Sequence, residues 1–520
     1  MVIPGLFLVG LALAALVQRW LQTDVSHTRF NATLRTLFWL GWGATATLAA
    51  LYALVPGYWD HLEASLAMRA IMIAQGAPAY PGVDAALRTQ LVYGPVALLI
   101  PAWIAANVSP SAAALKAAVV VMGLVAVSLP LAWSGLRKTA PSAASLAPLL
   151  VMGSLLLFRQ VAFRHVTDAL LLLGCSLCAL AVIRGGAAKG LLFWAVGLCL
   201  ALGSKLHGPA YILPLVPWAR SHFGTGRVLG ATMLGIAMAG APFFLPSFEF
   251  GHFVAGVQAV ASHHRQPSLL WRNLGMGGVL VAPAVAALIA AGRANPRVVS
   301  TTVFLAAGLL LSALVGSKEG AGIHHMLPWT VLGPALWHLV VSSSMPGHPL
   351  PAAPVLRRVL SAWLLAVAVQ GVVTQASYTR FLLKPPQSSG LQEVADYVKT
   401  QRLRAAAGFT DDTHYAAMVQ RPYLAGALAV DVFDPLSIAD MARAARPVGT
   451  RTLQLLSRQD IDAFVLPSAG TPFSMRSWYD QSLLFGAEVG ARFLEHYYPD
   501  ATFGRYTVWR AKRLRSQTLR

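Results

Sequence analysis

Long apolar runs, broken by short basic loops, fill the first 376 positions of the chain. A helix that crosses a bilayer needs about 20 mostly apolar residues. Twelve stretches fit that pattern: roughly Val2–Trp20, Thr36–Val55, Ala112–Ser134, Ser142–Leu157, Asp168–Ile183, Gly190–Gly203, Gly208–Trp218, Val228–Pro246, Leu274–Ala291, Val298–Val315, Met326–Val341 and Val359–Val373. The sixth and seventh form a hairpin that turns at Ser204-Lys205-Leu206-His207. A shorter apolar piece, Val92–Ala106, is interrupted by proline and is expected to lie along the membrane surface. The pattern changes near Ser377, after which no run is long enough to span. Gln392–Leu403 has helical periodicity, and Ala463-Phe464-Val465-Leu466 reads as a buried strand. Tyr497-Tyr498 and Tyr506-Thr507-Val508-Trp509 read as two strands around a turn at Pro499–Gly504, and the basic tail after Arg510 is expected to fray.

The expected fold is therefore a polytopic α-helical membrane protein of about 12 spans over 1–376, with a C-terminal extracytoplasmic α/β domain over 377–520. Basic loops select the cytoplasmic side. Arg29 with Arg35, Arg137-Lys138, Arg184 with Lys189, Arg220 with Arg227, Arg293 with Arg297, and Arg357-Arg358 follow alternate spans. This threading puts both termini, and the first large loop at 56–111, outside the cytoplasm. No inverted repeat of the transporter kind is evident. The first apolar stretch lacks a basic leader and a clear cleavage site, so it reads as a retained helix.

Composition agrees. The chain is 56% hydrophobic and 12% charged, against about 25% charged in soluble domains. The net charge of +20 is spread over short loops and the tail, which fits contact with anionic lipid and argues against nucleic acid. Cys175-x-x-Cys178 lies inside an apolar run and reads as two small core or lipid-facing residues, not as a redox or zinc motif.

Acidic residues change the picture most. Only seven precede Gly390: Asp24, Asp60, Glu63, Asp84, Asp168, Glu249 and Glu319. The threading puts all but Asp24 on the extracytoplasmic face, and carboxylates kept at a membrane usually have a task. The first loop runs Tyr58-Trp59-Asp60-His61-Leu62-Glu63, then Gly76, Ala79-Tyr80-Pro81 and Tyr93-Gly94-Pro95. Asp60 and Glu63 share a helical face. They also form a capping-box pattern ahead of a helix over Ala64–Gln75, with Gly76 as its C-terminal cap. The two readings are compatible. Asp168 follows Arg164 by four residues and reads first as an Arg–Asp helix pair or an N-cap. Eight of fourteen histidines fall on this face: His61, His165, His207, His252, His263, His264, His324 and His325. Paired histidines invite a metal. Hydrogen bonding to sugar or phosphate is the preferred role, since neighbours on a helix point different ways.

These motifs resemble the GT-C glycosyltransferases, polytopic enzymes that use polyprenyl-phosphate sugars and include protein O-mannosyltransferases and the lipid A aminoarabinose transferase. The resemblance rests on Asp60-His61-Leu62-Glu63, a following helix, Gly76 with Tyr80, and Tyr93-Gly94-Pro95 before an apolar surface helix. Ser204-Lys205-Leu206-His207-Gly208-Pro209 is similar to a Thr-Lys-Gly-Pro-like turn of that superfamily. Ser317-Lys318-Glu319-Gly320-Ala321-Gly322 through His324-His325-Met326-Leu327-Pro328 resembles a late loop of its bacterial members. The chain departs from the family in two ways. His61 and Leu62 separate acids that are often adjacent, which leaves the choice of base open, and an extra helix precedes the loop.

The resemblance implies an inverting glycosyltransferase of the bacterial cytoplasmic (inner) membrane, active on the extracytoplasmic face. It would take sugar from a polyprenyl-phosphate donor in the membrane lipid to a glycan, glycolipid or protein acceptor. Asp60, or Glu63, would supply the base. Lys205, Lys318, Arg69, Arg88 and Arg164 would neutralise the donor phosphate, and Arg159, Arg265 and Arg272 lie on the same face. His61, Tyr93, Asp168, His207, His324 and His325 would contact substrate. No cofactor or metal site is assigned, and a divalent cation is left open. Each cation alone also fits headgroup contact. Lys205 leads because it sits at a tight turn, where truncation is expected to spare the fold. A lipid-linked sugar transporter or flippase, or a glycan ligase or polymerase, is the alternative. Transporters place charges mid-membrane on broken helices, not in loops at one face. The threading predicts that single cysteines at Ser65 and Ser468 are labelled from outside intact cells. Labelling of either only after permeabilisation would overturn it.

Overall fold

The computed structural model describes residues 27–55, 58, 61–89, 91–130, 147–158, 163–164, 166–261, 263–292, 295–343, 363, 367, 371, 390–411 and 432–518. The expected span Val2–Trp20, most of Val359–Val373, and the residues Asp60, Arg159 and His165 lie outside them.

In chain order the membrane part holds α1 (His27–Leu54), α2 (His61–Ala74), α3 (Pro95–Asn107), α4 (Ala112–Ser128), α5 (Ala147–Leu155), α6 (Val166–Arg184) and α7 (Ala187–Ser204). There follow α8 (Gly208–Ile212), α9 (Val216–Phe223), α10 (Thr225–Gly240), α11 (Phe250–Ala261), α12 (Pro267–Ala291), α13 (Pro296–Val315) and α14 (Trp329–Ser343). Five helices among the described residues are long and apolar enough to cross a bilayer: Val166–Arg184, Ala187–Ser204, Thr225–Phe244, Pro267–Ala291 and Pro296–Val315. The expected seventh span is not one helix. A 3-10 turn, Leu213–Leu215, separates α8 from α9 at Pro214, where the chain lacks an N–H to continue the ladder. At 13 residues α3 is too short to span, since a helix rises about 1.5 Å per residue. Helix α11 was not anticipated.

The chain forms two compact units. The described residues of the first fall within Met1–Tyr52, Val119–Gly240 and Arg265–Lys384, and those of the second within Ala53–Ala118, Ala241–His264 and Pro385–Arg520. In the first unit helices meet at glycines, because lipid chains supply no apolar driving force and close backbone approach must do the work. A Cβ on Gly197 of α7 would lie 2.6 Å from both the Gly174 carbonyl and Cys178 Sγ of α6. Cys175 and Cys178 are fully buried, so they are core residues. Leu229, Met233 and Leu234 of α10 are exposed, as side chains facing lipid should be.

In the second unit, α2 ends as the sequence predicts. Gly76 takes a left-handed φ of 91°, Gly76 N–H donates to the Ile73 carbonyl, and Ala77 N–H reaches back to that of Met72, a Schellman cap. The C-terminal part holds α15 (Leu391–Thr400), β1 (Ala405–Ala407), α16 (Pro435–Arg443), α17 (Thr450–Ser457), β2 (Ala463–Pro467), α18 (Ala487–His496), β3 (Tyr497–Phe503), β4 (Tyr506–Ala511) and α19 (Lys512–Thr518). Its sheet has the order β1-β2-β4-β3, parallel only between β1 and β2. Phe433, Phe464, Phe473, Phe485 and Phe493 pack in its core. Up to Thr518 the tail after Arg510 is not frayed. Arg513 pairs with Asp462 and donates to Gln459, and Leu514 packs on the core, so α19 is held to the sheet.

Gly197→Val should sharply reduce the yield and melting temperature of detergent-purified protein, since overpacking costs about 1–3 kcal/mol or more. Gly230→Ala, where an added Cβ meets nothing within 4 Å, should behave as wild type. Equal behaviour of the two variants would refute the α6–α7 seam.

Candidate functional site

The first loop, in the second unit, holds several charges in its interior. Glu63 occupies the first turn of α2 and is 3% exposed. The acid acts electrostatically on Lys116 of α4, itself 2% exposed. Lys116 Nζ donates to the Val55 carbonyl at 2.7 Å and lies 4.8 Å from the Tyr58 ring centre. Sequence reasoning missed Lys116, although a lone ionisable residue in an apolar run was the available signal.

Arg69 and Arg88 act as braces. The Arg69 guanidinium donates to Thr89 Oγ1 at 2.8 Å, to the Ala79 carbonyl at 3.1 Å and to the Pro78 carbonyl. Arg88 donates to the carbonyls of Val83, Arg446 and Pro447. Burial holds Arg88 below its ordinary pKa. The Arg88 backbone bridges Phe433: its N–H donates to the Val432 carbonyl and its carbonyl accepts from Asp434 N–H. Asp434 caps α16 through Ser437 N–H at 2.9 Å and accepts from Ser65 Oγ at 2.5 Å. Ser65 is therefore buried and unsuited to labelling, whereas Ser468 is exposed. Tyr93 contributes its carbonyl, which accepts from the Tyr80 hydroxyl at 2.7 Å. The His61 side chain, like Asp60, lies outside what is described.

The second cluster gathers at one end of the helices of the first unit. Lys205 ends α7 and is 4% exposed. Its Nζ lies 2.6 Å from Asp168 Oδ1, in the first turn of α6. The sequence set Asp168 against Arg164, which is half-buried just before α6, and did not anticipate Lys205. Among the described residues Asp168 is the ammonium's one partner, so two of its three N–H groups remain for another acceptor. His207 Nε2 lies 3.2 Å from His325 Nδ1, and the Tyr211 hydroxyl donates to the His325 carbonyl at 2.6 Å. The His324 and His325 ring centres are 4.6 Å apart. These neighbours do not point apart as expected, because they lie on a 3-10 turn, Ile323–Met326, instead of an α-helix.

Burial, then the charge of Lys205, pushes His207 down to about 3, against the pull of Asp168. Burial, then His324 and Lys205, holds His325 well below its ordinary value. Both imidazoles are neutral at pH 7, which suits a bond needing one N–H and one lone pair. Lys318 acts on His207 as well. Its backbone pairs with Arg265, and burial, then the charge of Arg265, keeps it below its ordinary value. Lys318 and Arg265 repel one another beside this cluster, an arrangement that an anion would relieve. Among the described residues no group of three or more His, Cys, Asp or Glu side chains is placed to hold a metal ion.

No family model and no curated protein matches the sequence. Solved structures do. The crystal structure of ArnT from Cupriavidus metallidurans bound to undecaprenyl phosphate superposes with a TM-score of 0.53 at 13% identity, covering 90% of this chain and 97% of that one. ArnT from the same organism in the apo state gives 0.55 at 13% identity, covering 90% and 96%. The chain shares the ArnT fold. ArnT is a GT-C glycosyltransferase, so the resemblance read from the sequence is borne out at the level of fold. With its apolar helices, the ArnT-like fold makes this a multi-pass membrane protein.

The buried Lys205–Asp168 pair reverses the expectation that truncating Lys205 is mild. Lys205→Met strips a buried carboxylate of its ammonium, and breaking such a pair costs about 3–5 kcal/mol. The apparent melting temperature in detergent should fall by several degrees, and adding Asp168→Asn should restore most of the loss. An unchanged melting temperature for Lys205→Met would rule out the pair.

Proposed function

We propose that the chain is a GT-C membrane glycosyltransferase that moves a sugar from a polyprenyl-phosphate donor to an extracytoplasmic acceptor at the bacterial cytoplasmic membrane. The observation that carries this is the Lys205 cluster. A buried ammonium with two N–H groups to offer, and Lys318 crowded by Arg265, suit an anionic headgroup at the end of membrane helices. The fold shared with an ArnT bound to undecaprenyl phosphate supports the same class of lipid.

In this scheme the acceptor hydroxyl attacks the sugar C1 from the face opposite the phosphate, and the configuration inverts. Asp60 accepts the hydroxyl proton, or Glu63 does so in its place. The C1–O bond breaks and its electron pair leaves on the lipid phosphate, already a stable anion. Cations therefore serve it better than a general acid. Lys205 and Lys318 neutralise the phosphate. Neutral His207 and His325, with His324, offer hydrogen bonds to sugar hydroxyls, and Asp168 holds Lys205 in place. Arg69 and Arg88, committed to backbone carbonyls, brace the loop instead.

Asp60→Asn keeps the size and capping ability of the side chain. The variant should fold and bind a polyprenyl-phosphate sugar, yet lose at least about a hundredfold in transfer rate, within the range of a general base. The assay is transfer from purified lipid donor to a membrane acceptor fraction. A dead Glu63→Gln beside an active Asp60→Asn would exchange the roles. Full activity in both would remove the first loop from the chemistry.

A further inference from the structure

The parallel pair β1 and β2 gives the C-terminal sheet an edge where two strands end side by side. In open α/β sheets, ligands sit in the crevice outside the carboxyl ends of such strands. Here that edge carries two short segments, 408–411 after β1 and 468–474 after β2. Phe473 N–H donates to the Phe409 carbonyl at 2.7 Å, and Asp411 N–H donates to Ser474 Oγ at 3.2 Å, so the two segments are tied together. Ser474 in turn donates to the Thr471 carbonyl at 2.6 Å.

Several side chains on this edge keep bonding capacity. Thr410 is 1% exposed, and its hydroxyl has no hydrogen-bond partner among the described residues. A buried hydroxyl without a partner is costly, and native structures keep few of them. Asp411 beside it is exposed, and its carboxylate pairs with none of the described residues. Both side chains converge on Gly470. A Cβ there would clash with Asp411 Oδ1 and lie 3.2 Å from Thr410 Oγ1. Gly470 also takes a φ of 83°, a conformation that favours glycine. Ser468, exposed at the end of β2, accepts from Thr507 Oγ1 at 3.0 Å and keeps its own O–H to donate. One carboxylate among hydroxyls suits a ligand that is itself rich in hydroxyls. It is a poor match for a hard cation, which draws on several carboxylates.

We propose that the Thr410–Asp411 edge is a glycan-binding site: Asp411 accepts hydrogen bonds from sugar hydroxyls, and Thr410 gains the partner it lacks. That this glycan is the acceptor rests on the glycosyltransferase reading; the site itself does not.

The test uses the full chain purified in lauryldimethylamine oxide, because maltoside detergents carry sugar of their own. Wild type, Asp411→Asn and Thr410→Val are probed with an array of bacterial surface oligosaccharides, and the best ligand is titrated by thermophoresis. Wild type should bind. Asp411→Asn should weaken binding about tenfold or more, the scale of a charged hydrogen bond, and Thr410→Val about three- to tenfold. Thr410→Val should also melt at the wild-type temperature or above, since it removes the unpaired hydroxyl. A merely structural Thr410 would show the reverse, lower stability with unchanged binding. Wild type that binds no oligosaccharide, or Asp411→Asn that binds as wild type does, would overturn the proposal. Asp411→Asn, on the surface, carries the comparison if Thr410→Val does not accumulate. Sugar transfer from a polyprenyl-phosphate donor is measured on the same preparations. Glycan binding without transfer keeps the site and sinks the glycosyltransferase reading, and transfer without glycan binding does the opposite.

Discussion

A charge taken out of water must find compensation close by, and this requirement organises the buried polar parts of the chain. Lys205 meets Asp168, and Lys116 meets the Val55 carbonyl and the Tyr58 ring. Arg69 and Arg88 distribute their N–H groups over backbone carbonyls and Thr89. Each partner lies on a different segment from the charge it answers. The charges therefore act as pins between segments that apolar packing brings together.

The pins do two kinds of work. Arg88 spends three N–H bonds on the backbone carbonyls of Val83, Arg446 and Pro447 and joins the 82–89 stretch to the residues around Phe433. The Lys205 cluster is tied to the backbone less tightly. Lys205 keeps two N–H groups, and Lys318 is crowded by a like charge. Burial also keeps His207 and His325 neutral, so they can offer hydrogen bonds without adding to the repulsion. This difference in commitment separates brace from binding candidate among residues that look alike in the sequence.

Close packing makes the pins possible. Gly174 and Gly197 let α6 and α7 approach to backbone contact, and α6 and α7 are the helices that carry Asp168 and Lys205 at one end. Gly208 presses on the Ala201 carbonyl, so a side chain there would force the turn that presents Lys205 and His207 to open. In a bilayer, where dispersion and shape must replace the hydrophobic effect, such contacts set the geometry.

The sequence by itself determined the local features: apolar runs, the basic loops between them, α2 with its Gly76 cap, β2, the pairing of β3 with β4 and the Lys205 turn. All follow from periodicities and turn chemistry that act over a few residues. The β3–β4 turn itself falls at Gly504-Arg505 and not over Pro499–Gly504, most of which extends β3. Only the tertiary structure decided the partners. Asp168 and Lys205 are 37 positions apart, His207 and His325 118, and Ser65 and Asp434 369. No short-range pattern encodes such meetings. The tail after Arg510 looks free in sequence because its anchors, Asp462 and Gln459, lie on an earlier segment. Lys116 looks like an isolated charge until packing brings it to the Val55 carbonyl and the Tyr58 ring. Sequence records what each residue needs, namely water, lipid or a counter-charge. Packing alone decides which distant residue meets that need, because the choice depends on how closely whole helices can approach.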